Sequence, residues 1–122
     1  MWLPADPPAL IEAVRITDPL GQYRADDLTG DLVALWEDDS APTLIRALPP
    51  GDLHRCFVPG WGIRAHGTDG PLYQVAFCYD CHGARLWGPA VPADRAGIHG
   101  FDAGSAPARE LLGRFRSSAG GL

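Results

Sequence analysis

The sequence has no lysine and no asparagine; all ten of its basic residues are arginine. Both missing residues use A-rich codons, as expected of a GC-rich bacterial genome. The absence of lysine excludes a Walker-type phosphate loop and Schiff-base chemistry. Without asparagine there is no N-glycosylation acceptor. Methionine occurs only as Met1, and cysteine only three times. No apolar run approaches the ~20 residues that a membrane span requires. The opening MWLPADPPAL lacks a basic segment followed by an apolar one, so the expectation is a cytoplasmic protein without a signal peptide. In a reducing compartment, three cysteines argue against a disulfide scaffold.

Positive charge is also scarce. The formal net charge is −5 and the sequence pI about 5.1. Nucleic-acid binding needs a basic stripe to neutralise phosphates. Here the arginines are scattered, and acids crowd the N-terminal half at Asp26, Asp27, Asp31, Asp38 and Asp39. The expected partner is therefore another protein, with neither nucleic acid nor membrane involved.

What is present fits one α+β domain over residues 1–122. Its 15 glycines and 12 prolines predict many turns and short elements. Residues 1–8 read as an irregular, Pro-rich arm. Residues 9–16 read as a strand stopped at Thr17-Asp18-Pro19, and 31–36 as a buried strand with apolar Leu32, Val33, Leu35 and Trp36. Asp38 to Pro42 signals a helix start, Leu44, Ile45 and Leu48 form one apolar face, and Pro49-Pro50-Gly51 ends it.

Strands are expected next at 53–58, 62–66, 72–80 and 84–87, with a hairpin loop at 67–71 and a long loop at 88–97. In 72–80, Tyr73, Val75, Phe77 and Tyr79 alternate with Leu72, Gln74, Ala76 and Cys78. Ser105 caps a closing helix with the stripe Ala108, Leu111, Leu112, Phe115, and 117–122 form a frayed tail. The expected architecture is a meandering antiparallel sheet of about five strands, with a short central helix and a C-terminal helix on one face.

The chemistry concentrates in FCYDCHG, Phe77 to Gly83. Cys78, Cys81 and His82 spell the c-type haem attachment signal. The missing export signal, the preceding strand and the lack of a second methionine count against haem. A thioredoxin-like dithiol would place the pair at a helix N-terminus, where the dipole lowers the thiol pKa. Gly83 and Gly88-Pro89 make such a helix poor.

Zinc suits the C-x-x-C spacing of a knuckle, with Cys56 as a third ligand and His82, His54, His66 or water as a fourth. Plain packing of buried thiols is the remaining reading. A Cys–His nucleophile at Cys81, flanked by Asp80 and His82, is disfavoured because sequence neighbours rarely face each other on a strand, and an oriented third group is also needed. Ser105 is not in a nucleophile elbow, and Asp38-Asp39 reads as a helix start. Trp61, between Gly60 and Gly62, is either core cover or a recognition anchor. Arg64 and His66 share a strand with it and would line the same partner-binding groove.

The run Cys56-Phe57-Val58-Pro59-Gly60-Trp61-Gly62-Ile63-Arg64, followed by Phe77-Cys78-Tyr79-Asp80-Cys81, resembles the hallmark of a group of small uncharacterised bacterial proteins. That hallmark is C-[FH]-x-P-x-x-G-[IL]-R, then C-aromatic-x-C, then a closing helix. The resemblance covers about half of the chain, from Leu53 to Ser117. It implies a linked trio of Cys56, Cys78 and Cys81, with Gly62 and Arg64 in a structural loop. Together these readings point to a small non-catalytic interaction domain with a three-cysteine cluster, on zinc or packed. A thiol–disulfide oxidoreductase using Cys78 and Cys81 is the alternative.

Overall fold

Six strands form one antiparallel sheet in the computed structural model, which describes residues 1–54 and 56–120. The strands are β1 (Leu10–Ile16), β2 (Gly30–Trp36), β3 (Trp61–Gly67), β4 (Gly70–Cys78), β5 (Gly83–Trp87) and β6 (Gly97–Gly100). Helix α1 (Ser40–Arg46) joins β2 to β3, and α2 (Ala106–Ala119) closes the chain. Spatial order is β2-β1-β3-β4-β5-β6. The chain therefore starts inside the sheet, turns out to one edge, crosses back through α1 and meanders to the other edge.

Alternation sorts the strand residues onto two faces. On the helical face, Ile11 and Ala13 of β1, Ile63 and Ala65 of β3, and Tyr73, Val75 and Phe77 of β4 are fully buried with Ile45 of α1. Leu111 and Phe115 of α2 complete that core. On the opposite face, Val14, Ile16, Ala76, Cys78 and Trp87 meet Leu28 and Phe57 from the connecting segments. Burial pushes the Tyr73 phenol up to about 12, and its hydroxyl has no hydrogen-bond partner among the described residues.

Local chemistry sets the element ends. Ser105 precedes α2 in an extended conformation, its hydroxyl accepts from the Ala108 N–H, and Pro107 occupies the first turn. The β3–β4 hairpin turns through Thr68-Asp69 into Gly70, whose φ of +139° favours glycine. Asp38 holds the start of α1 by accepting from the Ser40 N–H and hydroxyl, which keeps its carboxyl below the usual range.

Several elements differ from the sequence expectation. Residues 53–54 and 56–58 form no strand; Arg55, within the expected strand, lies outside the described residues. The backbone there serves other elements: the His54 N–H donates to the Cys81 carbonyl, and Gly60 bonds both Phe77 and Ile16. Instead the sixth strand is β6, at the end of the expected 88–97 loop. Two glycines bounding a four-residue run hide it from any propensity argument.

Strand β2 is an edge rather than a buried strand, with Leu32 and Leu35 exposed. Helix α2 runs through Ala119, so the first three residues of the expected tail are helical; Gly121 and Leu122 lie outside the described residues. The N-terminal arm is irregular but folded down: Leu3 is buried, and the Met1 ammonium donates to the Arg46 and Leu48 carbonyls at the end of α1.

Candidate functional site

Strand β4 ends at Cys78, and the chain reverses through Tyr79-Asp80-Cys81-His82 into β5. A tight reversal brings residues three apart close together, here with Cα atoms 5.4 Å apart, within disulfide range. Cys78 and Cys81 are joined as a disulfide. This departs from the expectation of free thiols, which rested on compartment rather than on the geometry of the turn.

Both cysteines are almost fully buried, at 2 % and 3 % exposure, against Phe57 and Leu28. Their surroundings are an apolar strand end, not a helix N-terminus. Two features that speed thiol exchange, access and a helix dipole, are thus missing from this arrangement.

The turn is anchored from two sides. His82 has a φ of +50°, a left-handed conformation uncommon outside glycine, in which histidine, like asparagine and aspartate, is enriched. Its carbonyl accepts from the Phe101 N–H, and its Nδ1 accepts from the Ala103 N–H. On the other side its ring stacks on His54, with centroids 5.0 Å apart, while the His54 N–H donates to the Cys81 carbonyl. The turn therefore ties β4–β5, the segment before β3, and the entry to α2 into one unit.

Cys56 is exposed and outside the disulfide. Among the described residues, no group of three or more His, Cys, Asp or Glu is placed to hold a metal ion. The zinc ligands expected from sequence were Cys56, Cys78, Cys81 and His82. Thiolates are the ligand form, so the Cys78–Cys81 pair would need two-electron reduction before ligating.

Reduction itself should be tolerated. Closing so short a loop is worth about 2 kcal/mol in the chain-entropy treatment. A phosphine reductant should lower the melting temperature modestly and leave a cooperative transition. In native, oxidised protein a thiol reagent should count one reactive cysteine, Cys56. Complete unfolding on reduction, or three reactive thiols before it, would contradict this structure of the turn.

Each residue expected to meet a partner is engaged within the chain. The Trp61 ring stacks on Phe115 at 5.3 Å, and the Arg15 guanidinium lies 5.7 Å from its centroid. Arg64 donates through Nε to Asp27 at 2.8 Å and through Nη2 to the Leu28 carbonyl. His66 Nε2 lies 2.5 Å from Glu12. Arg64 and His66 share the face opposite the helices, whereas Trp61 is on the helical face, so the three do not line one groove.

Sequence reasoning missed the strap across that opposite face, residues 17–29. Sheet side chains donate to its carbonyls: Arg85 to Gln22 and Ala25, Trp87 and Gln74 to Asp26, and Arg64 to Leu28. The Gln74 amide oxygen also accepts from the Leu28 N–H. Burial under the strap lowers the Arg85 pKa. A signal was present: Arg, Trp and Gln at alternate positions of strands are donors in search of acceptors.

It also missed a second feature, at β2. The register pairs Glu12 with Leu35, Ala13 with Ala34 and Val14 with Leu32, so Val33 is an extra residue. Because of this bulge, Leu32 and Leu35 lie on the same face although they are three apart. Their exposures are 53 % and 55 %. No protein-family model, curated protein or solved structure matches the chain.

Proposed function

We propose that the chain is a small non-catalytic binding domain that engages a protein partner through β2, with the cysteine turn as a fold device. The observation that supports it most is the state of that edge. Strand β2 is seven residues long, and its outer side pairs with no strand among the described residues. It contains no lysine, arginine or proline, residues that commonly protect an edge, and the bulge at Val33 interrupts it at one point only. Two half-exposed leucines on one side add an apolar patch to unpaired backbone, the combination that β-strand addition uses.

A photo-crosslinking residue at position 35 should yield a discrete adduct in cells, lost on Leu32→Asp. The same residue at the exposed Arg109 on α2 should not. Uniform labelling from both positions, or none from β2, overturns the reading.

The oxidoreductase alternative is favoured by one observation, the closed C-x-x-C disulfide. The burial of both sulfurs weighs against it. Reduced protein should turn over a small aromatic disulfide no faster than the Cys78→Ser variant; a clear excess would restore the enzymatic reading.

A further inference from the structure

The surroundings of β2 specify the chemistry of what it binds, an inference that rests on the proposed role of this edge. Residues 18–39 contain seven carboxylates and one cation, Arg24, while the rest of the chain is nearly balanced. Asp31 sits at the start of β2, and Glu37, Asp38 and Asp39 follow its last residue. Two arginines lie nearby and offset part of this charge. Arg15, opposite Asp31 in register, lies over Trp61. Arg114 lies over Trp36, donates to the Ser40 hydroxyl and is 3.8 Å from Asp38. With both arginines counted, the Asp31 end is balanced and the Glu37–Asp39 end keeps an excess of acid, so the edge is apolar in its middle and anionic at its C-terminal end.

We infer that β2 accepts an extended peptide segment of a partner protein, with apolar side chains at alternate positions and Lys or Arg at the end that meets Glu37–Asp39, as a seventh strand. The backbone would supply the ladder, Leu32 and Leu35 the apolar contact, and the terminal acids the register and selectivity. The same charges disfavour a second copy. Antiparallel pairing of β2 with itself would set Asp31 of each chain near the Glu37–Asp39 run of the other. Like charges facing across strands destabilise the pairing.

The test uses the full chain and three synthetic peptides: a Val/Thr-alternating seven-mer flanked by two lysines at each end, its glutamate-flanked counterpart, and the lysine peptide N-methylated along one backbone edge. The lysine peptide should bind at least about tenfold more tightly than the glutamate one, a difference of 1.4 kcal/mol. Its affinity should fall with added salt. N-methylation, and separately Leu32→Asp with Leu35→Asp in the protein, should abolish binding while the thermal transition stays in place.

Concentration-dependent dimerisation lost in the same leucine variant, with no peptide bound, would overturn the cationic partner and retain β2 as a binding edge. Equal binding of lysine and glutamate peptides would overturn the charge rule alone. Binding that survives both aspartates would place the site elsewhere. No peptide binding and no self-association, with adducts still forming at position 35 in cells, would remove strand addition but keep the binding domain. If those adducts are also absent, both readings fall.

Discussion

Phe115→Ala should be the most damaging single truncation on the helical face, costing about 3–5 kcal/mol. The ring is fully buried and is the meeting point of three others, with centroids 5.2 Å from Trp36, 5.3 Å from Trp61 and 6.0 Å from Phe77. Those partners belong to β2, β3 and β4, so one side chain fastens α2 across half of the sheet. Its loss removes apolar area and leaves a cavity that flat aromatic neighbours fill poorly. A domain of this size has roughly 5–15 kcal/mol in all. The melting temperature should therefore fall by roughly 10–20 °C. Chemical denaturation gives the free energy directly; a loss under 1 kcal/mol would mean that α2 is not docked as described.

Gly100→Ala should cost about 3 kcal/mol, at the upper end for overpacking. A Cβ there would lie 2.1 Å from the Gly51 carbonyl oxygen, a backbone atom that no side-chain rotation can move. Gly100 pairs with Gly83, where a Cβ would meet Leu53 at 2.4 Å. This glycine pair lets residues 51–53 cross close over the end of the sheet, which delivers His54 to the cysteine turn. The variant should thus show a second effect that a purely local clash would not produce. Lifting the crossing uncovers Cys81, so a water-soluble reductant should open the disulfide several-fold faster through local unfolding. An alanine accepted within 0.5 kcal/mol, with unchanged reduction kinetics, would contradict the crossing.

Much of the framework is legible from residues alone, because period-two and period-3.6 patterns are strong where a segment has one buried face. Tyr73, Val75 and Phe77 do share the helical core, and Ala108, Leu111 and Phe115 do form the buried stripe of α2. Reading fails where burial depends on a distant segment. Leu32-Val33-Ala34-Leu35-Trp36 has the composition of an interior strand, yet only its place at the end of the strand order makes it an edge. Cys56-Phe57-Val58 looks extended and apolar, but Phe57 alone is buried, and the flanking His54 and Gly60 bond to the cysteine turn, β4 and β1.

The site was half legible. The C-x-x-C spacing correctly signalled a tight turn that converges two sulfurs. What it could not supply was the state of those sulfurs, or the partners of Trp61, Arg64 and His66. Each of the three looked available because its counterpart, Phe115, Asp27 or Glu12, lies 37 to 54 positions away along the chain. Side chains that appear free in one dimension are often already committed in three.

The inequality between the two rims of the sheet bears on behaviour at high concentration. The far rim is β6, four residues bounded by Gly97 and Gly100, with a φ of +118° at the first. It is too short and too bent to template a long ladder, whereas β2 is long enough to do so. The facing acids oppose such meetings, and any crowded molecules that did meet rim to rim would each exhaust the one long receptive side among the described residues in a single encounter. Growth would stop at a closed pair; fibres, which need two receptive sides on every unit, would have no way to extend.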